Sequence, residues 1–197
     1  MNQARGEGRE AKGEASESSR EDRGLMERVQ DGDEAALGAL MERWELPLKG
    51  LIGRIVLNAG EADELAQETF VRVWQQREKF RAGAAFRPWV FAIAVNLARN
   101  RLRWWRRRPT VELHEWSESE DGGRKTENGL EIAERAAAMR AAIAALPVEL
   151  REAIVLFEYE QMSHAEIAAT VGATAKAVET RIYRAREKLR AALKRWV

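Results

Sequence analysis

The sequence predicts an all-α protein made of two small helical domains. Apolar residues recur at helical intervals over 24–108 and again over 130–197, and no segment alternates apolar and polar residues as a half-buried strand does. The residues between them, 109–129, are polar and acidic and include Gly122-Gly123, which is typical of a flexible linker. With 197 residues, of which 45% are hydrophobic, the chain can form two modest cores.

The first domain is predicted to follow a polar leader. Residues 1–23 contain almost no apolar side chains, so we expect an unstructured tail there. Helical spacing then runs from Leu25 to Ile55, and Pro47 marks either a kink or a helix boundary.

Two further helices are predicted to complete this domain. Asn58-Ala59-Gly60 predicts a turn, and apolar residues on one face predict a second helix over 61–75. Residues 81–88 predict a loop, and a third helix follows over about 89–105 until Pro109 stops it.

The second domain is predicted to begin with two helices and to end in a helix-turn-helix. Pro147 separates a helix over about 130–145 from one over about 148–160. Ser163 and Glu166 then have the spacing of a capping box, and Thr174 can cap a longer final helix after a turn at Gly172. Outward positions of that final helix are polar: Lys176, Thr180, Tyr183, Arg184 and Lys188. Its N-terminal half would reach base edges in a major groove, whereas an ordinary three-helix bundle is the alternative.

The composition excludes several classes of protein. The absence of Cys excludes a disulfide scaffold, a thiolate zinc site and Cys catalysis. Two His residues make a His-rich metal centre implausible, and no apolar run approaches the roughly 20 residues of a membrane helix. We therefore expect a soluble, cytoplasmic protein with no cofactor, no membrane insertion and no small-molecule substrate.

The predicted third helix carries a stripe of Asn and Arg on one face. At 100° per residue the stripe contains Asn96, Arg99, Asn100, Arg103 and Arg107. Further Arg residues follow, and no acidic residue lies between Asn96 and Arg108. Arg pairs with phosphate and Asn with base edges, so the stripe predicts nucleic-acid contact, with a solvated basic face as the alternative. For Trp104-Trp105, core packing and stacking on unpaired bases both stay open.

The predicted second helix has the opposite charge. Its outward face contains Asp63, Glu64, Gln67 and Glu68. Like charges repel, so this face cannot contact phosphate and is either a solvated face or a protein-docking face. The acidic linker residues have no accompanying His, Lys or apolar pocket to shift a pKa, so they predict no catalytic site.

Three segments together resemble the extracytoplasmic-function sigma factors of bacterial RNA polymerase. They are ELAQETFVRVWQ (64–75), FRPWVFAIAVNLARNRLRWWRRRP (86–109) and the segment 145–189 that contains the helix-turn-helix. Their order, with an acidic linker between the second and the third, is specific to this family. The resemblance implies sigma domain two over 24–108 and sigma domain four over 130–197.

The resemblance also implies a role for each surface. The second helix would bind core RNA polymerase through Asp63, Glu64, Gln67, Glu68 and Trp74. The loop 81–88 with Asn96 and Asn100 would capture unpaired bases of the minus-ten promoter element, which makes opening of the duplex favourable. The backbone of that element would meet Arg99, Arg103, Arg106, Arg107 and Arg108. The minus-thirty-five element would be bound by Thr174, Lys176, Thr180, Arg181, Tyr183 and Arg184.

The partners implied by the family are core RNA polymerase, promoter DNA and an anti-sigma factor. Two other functions compete with this hypothesis. A stand-alone helix-turn-helix regulator would bind duplex operators and use 25–108 as a dimerisation or sensor domain, but it would need neither the Asn/Arg stripe nor the acidic face. An enzyme acting on nucleic acid would need metal ligands or an acid/base constellation, and the sequence has neither pattern.

Overall fold

The computed structural model describes residues 4–107 and 127–196, with side chains described over 17–107 and 132–196. Within these ranges every regular element is helical, which confirms the predicted all-α class. The α-helices are α1 (Ala4–Gln30), α2 (Glu34–Val56), α3 (Ala59–Gln75), α4 (Phe86–Arg107), α5 (Glu127–Ala144), α6 (Val148–Glu158), α7 (His164–Val171) and α8 (Ala175–Ala192). A short 3-10 helix, Arg77–Lys79, follows α3. Most of the predicted linker lies outside the described residues.

Residues 1–23 were expected to be unstructured, but α1 begins at Ala4 and includes most of them. Its C-terminal part is anchored by Met26 and Val29, which are fully buried. One turn earlier, the buried carboxylate of Asp22 accepts hydrogen bonds from Arg43 (2.7 Å) and from the indole of Trp44 (3.1 Å). Burial raises the pKa of Asp22 even though Arg43 opposes the shift. These partners lie on α2, so periodicity within the leader could not show them.

Helix caps set the boundaries of α2 and α3. The Asp33 side chain accepts from the backbone N–H of Ala36 at 3.1 Å, and the Asn58 side chain accepts from that of Glu61 at 3.0 Å. Leu57 ends α2 with a left-handed φ of 62°. The predicted turn at Asn58-Ala59-Gly60 is therefore the N-cap and first residues of α3, and Pro47 lies inside α2.

An aromatic cluster joins α2 and α4 in the first domain. Trp44 contacts Phe86 and Phe91 edge-on, at centroid distances of 6.0 and 5.7 Å. Phe80 contacts Trp89 in the same way at 5.1 Å. Because Phe86 is buried in this cluster, α4 begins three residues before the predicted boundary and the loop before it is shorter.

The helix-turn-helix is confirmed in the second domain. Ser163 and Glu166 form the predicted capping box at the start of α7. Gly172 ends α7 with φ 65°, a conformation that glycine adopts without steric cost, and Thr174 caps α8. The α8 residues Val178, Ile182 and Ala185 are buried, so the polar face of α8 points outward.

The two domains pack against each other. Helix α4 lies on α7 and α2 lies on α6. Buried side chains from both domains form one continuous hydrophobic cluster. This packing, which the sequence analysis did not predict, brings the Asn/Arg helix beside the helix-turn-helix.

Candidate nucleic-acid and polymerase interface

Helix α4 has one buried and one polar face, as its sequence predicts. Val90, Ala94 and Ala98 are fully buried, whereas Asn96 and Asn100 are exposed. The guanidinium of Arg103 donates to the side-chain oxygen of Asn100 at 2.6 Å. This contact fixes the amide of Asn100 on the surface and places a positive charge beside it.

The two tryptophans at the end of α4 have different environments. Trp105 is buried and belongs to the hydrophobic core, whereas Trp104 is 43% exposed. Of the two tryptophans, only Trp105 is therefore explained by packing in the core. Trp104 lies at the surface next to exposed Arg103, so stacking on bases stays open for Trp104 alone.

Carboxylates from other helices neutralise part of the arginine run. Arg101 pairs with Glu61 and lies 3.5 Å from Glu64, both on α3. Arg99 donates through Nε and Nη2 to the two carboxylate oxygens of Glu152 on α6, at 2.7 and 2.5 Å. These hydrogen bonds raise the pKa of Arg99, so it is charged at every relevant pH.

The predicted minus-ten residues therefore fall into two groups. Five are exposed on α4: Asn96, Asn100, Arg103, Arg106 and Arg107. The side chain of Arg99 is only 23% exposed and faces the second domain, although it belongs to the same stripe. Arg108 lies outside the described residues.

The outward face of α3 is acidic and partly paired. Asp63 lies 3.1 Å from Lys49, and Glu68 lies 2.9 Å from Arg72. Both pairs are at least partly solvent-exposed, so each contributes little stability and can be exchanged for contacts with a partner. Gln67 is exposed, whereas Trp74 is half-buried against the core and beneath Arg77, at 4.4 Å from the ring centroid.

Two apolar residues beside this face were missed by the sequence analysis. Val71 on α3 is 52% exposed, and Leu46 on α2 is 77% exposed. Leu46 lies one turn before Lys49, the residue that pairs with Asp63. Large apolar side chains within a charged face are typical of protein-docking surfaces. The sequence signal that could have identified Val71 and Leu46 is an apolar residue at an outward position of an amphipathic helix.

The recognition helix α8 presents a mixed polar face. Tyr183 is 65% exposed, and Lys176 is exposed and paired with Glu179 at 2.9 Å. The hydroxyl of Thr174 accepts from the backbone N–H of Ala177 at 3.1 Å, which leaves it committed to the cap. Thr180 and Arg184 share the face with Lys176 and Tyr183 at helical spacing.

Arg181 has a different position from its neighbours on α8. It lines a cleft between the domains, with a volume of about 370 Å³, opposite Arg103 and Arg106 of α4. The floor of this cleft includes the paired side chains of Arg99 and Glu152. Arginines from the predicted minus-ten and minus-thirty-five sets therefore line one cavity.

Over the part of the chain that is described, His, Asp and Glu side chains form no group of three or more that could hold a metal ion. None of the described helices is both long and apolar enough to cross a bilayer.

Two family models match the chain, one in each helical domain. The family described as sigma-70 region 2 matches residues 40–108, and the family described as sigma-70, region 4 matches residues 136–189. The first match contains the acidic face of α3 and the polar stripe of α4. The second contains the helix-turn-helix.

Whole-chain relatives extend the match. An RNA polymerase sigma-H factor of Pseudomonas aeruginosa is 36% identical over 185 residues, which span 88% of this chain and 94% of the relative. An ECF RNA polymerase sigma-E factor of Salmonella typhimurium is 35% identical over 176 residues, which span 85% of this chain and 92% of the relative.

Solved structures share the fold. CnrH in complex with the cytosolic domain of CnrY matches with a TM-score of 0.67 and 29% identity, over 90% of this chain and 99% of that one. The sigma factor RpoE of Bartonella quintana, solved with the anti-sigma factor NepR, has a TM-score of 0.62 at 21% identity, over 80% and 96% of the two chains.

The relatives match across both domains, including the helices that carry the acidic face, the Asn/Arg stripe and the recognition face. A stand-alone regulator is not favoured, because its operator-binding domain would explain only the second of these matches. The chain belongs to the extracytoplasmic-function (ECF) sigma factors, which direct bacterial RNA polymerase to promoters.

Proposed function

We propose that this sigma factor opens the minus-ten element through the exposed Asn96 and Asn100 of α4, with the arginines after them on the DNA backbone. The observation that carries the proposal is the two-sided character of α4. One face is locked into the core by Val90, Ala94 and Ala98, so the polar stripe is held rigidly at the surface. Rigid presentation lowers the entropic cost of binding.

The chemistry of this stripe favours unpaired bases. An Asn side chain both donates and accepts, so it can pair with the edge of a flipped-out base. The exposed guanidinium groups of Arg103, Arg106 and Arg107 bind phosphate without regard to sequence. Contacts that exist only with the melted strand shift the equilibrium of the duplex towards opening.

We assign core-polymerase docking to the outward face of α3. Asp63, Glu64, Gln67 and Glu68 supply charge and polarity, and the exposed Val71 and Leu46 supply apolar area beside them. Trp74 acts from its half-buried position by stiffening the end of α3. The surface therefore combines exposed apolar side chains with charged and polar ones, as protein interfaces do.

We assign minus-thirty-five recognition to the exposed face of α8. Lys176, Thr180 and Tyr183 lie in the N-terminal half of α8, which enters the major groove in helix-turn-helix proteins, and Arg184 follows directly after that half. Arg181 would reach phosphate or bases only after the interdomain cleft opens. Thr174 acts mainly through the helix cap.

These roles imply where the protein works and which partners it meets. The protein works in the cytoplasm, where core polymerase and promoters are, and contributes binding and melting but no catalytic site of its own. CnrH, a relative by structure, was solved with the cytosolic domain of CnrY bound. We infer that this chain likewise has a protein partner, an anti-sigma factor that competes with core polymerase.

The test is a double substitution, Asn96→Ala with Asn100→Ala. We expect loss of open-complex formation on a supercoiled promoter and loss of binding to the single-stranded minus-ten strand, while affinity for core polymerase is retained. Glu42→Ala, at an exposed position of α2, is the control for surface substitution. Unchanged transcription by the double variant would overturn the assignment.

A further inference from the structure

Helix α8 carries a carboxylate in the half of the helix that is assigned to DNA. Glu179 lies in the N-terminal half of α8, which reaches base edges in helix-turn-helix proteins. Its side chain is 54% exposed. At about 100° per residue, it lies about 60° from Lys176 and about 40° from Tyr183 around the helix axis. Glu179 therefore borders the same face as two residues assigned to the minus-thirty-five element.

A carboxylate in this position needs a hydrogen-bond donor when DNA is bound, because the phosphates of the backbone repel it. Within α8 the donor is Lys176, whose Nζ lies 2.9 Å from Oε2 of Glu179. This hydrogen bond lowers the pKa of Glu179, so the side chain is charged at neutral pH. On the major-groove edges of the bases, only the amino groups of cytosine and adenine donate, so a carboxylate is favoured beside these two groups alone.

The geometry of the ion pair matches the edge of a single base pair. In a pair of guanine and cytosine, O6 of guanine and N4 of cytosine share a hydrogen bond, so they are about 2.9 Å apart. The charged atoms of Lys176 and Glu179 have the same separation, 2.9 Å. This is less than the roughly 3.4 Å between successive base pairs. One donor and one acceptor on α8 can therefore face one acceptor and one donor of the same base pair.

The order of groups along the groove favours a G·C pair over an A·T pair. In G·C, the acceptors N7 and O6 of guanine lie together beside the amino donor of cytosine, so the ammonium and the carboxylate each meet a group of the opposite kind. In A·T, the amino group of adenine lies between two acceptors, N7 of adenine and O4 of thymine, which repel a carboxylate placed there. An ion pair with this spacing therefore discriminates between the two kinds of base pair.

A second ion pair on α8 serves as a comparison. Arg190 pairs with Glu187 at the same i,i+3 spacing, but in the C-terminal half of the helix. Glu187 lies roughly 12 Å further along the helix axis than Glu179, at about 1.5 Å per residue. Both pairs are exposed and support the helix to a similar, small extent. What distinguishes the two pairs is their position relative to the groove.

We propose that the Lys176–Glu179 pair reads one G·C base pair of the minus-thirty-five element. Lys176 donates to O6 and N7 of guanine, and Glu179 accepts from the amino group of cytosine. Glu179 is thus a specificity-determining residue, in addition to the residues already assigned to this element. The inference rests on the proposed role of α8 in binding the minus-thirty-five element.

Selection of bound sequences tests the proposal. The full chain, assembled with bacterial core polymerase, selects from a library of random duplexes, and the bound fraction is sequenced. At one position of the minus-thirty-five element, wild type should favour G·C over A·T by about fivefold or more. Glu179→Ala should reduce this preference to below about twofold at that position and retain the preferences at the others. Lys176→Ala should weaken the preference at the same base pair.

The matched control is Glu187→Ala, which removes the carboxylate of the second ion pair and should leave every base preference unchanged. Salt dependence separates base reading from phosphate contact. Glu179→Ala should keep the slope of log affinity against log salt concentration, because no phosphate contact is lost.

Two results would overturn the reading of a G·C pair by Glu179. One is an identical set of base preferences in Glu179→Ala and wild type. The other is an equal loss of preference at every position, which would mean that Glu179 acts only through the docking of α8. Failure of the proposed function is recognised separately, since wild type itself would then select no minus-thirty-five sequence.

Discussion

Arg151→Met tests how much a single buried cation, which bonds to carbonyls of both domains, stabilises the fold. Arg151 is 7% exposed and its guanidinium donates to the carbonyls of Ile55 (2.7 Å), Ala144 (2.5 Å) and Leu146 (3.0 Å). Burial lowers the pKa of Arg151, in keeping with the cost of taking a charge out of water. Met retains much of the length and apolar stem but cannot donate.

The expected cost is a balance of two effects. Three carbonyls lose their donor, at about 1–3 kcal/mol for each buried unsatisfied group. Part of this loss is offset because the guanidinium no longer has to be desolvated, a penalty of several kcal/mol. We expect a net loss of about 3 kcal/mol, a large fraction of the roughly 5–15 kcal/mol stability of a typical domain.

Urea unfolding followed by circular dichroism measures this loss. The control is Arg135→Met on α5, where the side chain is exposed and the substitution should have almost no effect. A loss below about 1 kcal/mol in Arg151→Met would refute the reasoning, because it would mean that water replaces the three donors at no cost.

Two more predictions concern separate surfaces. The double variant Asp63→Lys with Glu68→Lys should bind core polymerase at least tenfold more weakly in a fluorescence-anisotropy titration, because two charges of the docking face are reversed. Glu78→Lys, on the neighbouring 3-10 helix, is the control. Full affinity of the double variant would exclude this face as the docking site. Ser163→Ala should cost about 1 kcal/mol in thermal unfolding, because the capping box of α7 is lost. Hydrogen bonds from Ser163 lower the pKa of Glu166, so this stabilisation is present above the ordinary glutamate pKa and is lost as pH falls through the lowered value. The Ser163→Ala variant should therefore lose less stability than wild type on acidification, and identical pH profiles would contradict the role of the cap.

The sequence by itself determined the elements whose signals are local. The capping box at Ser163 and Glu166 and the Thr174 cap lie within one helical turn of the residues they bond, so short-range pattern is sufficient to predict them. The polar stripe of α4 is also local, since helical geometry alone places Asn96 and Asn100 on one face. The two sigma domains were implied by the resemblance of three segments, 64–75, 86–109 and 145–189, to the ECF sigma factors.

Only the tertiary structure decided which polar residues are available to a partner. Arg99 and Arg103 share a stripe in sequence, yet Arg99 meets a carboxylate from 53 positions further along the chain and Arg103 stays exposed. In the same way, Asp22 is buried because Arg43 and Trp44 come from another helix. Helical periodicity specifies the direction of a side chain around its own axis, but the partner it meets depends on how separate helices pack.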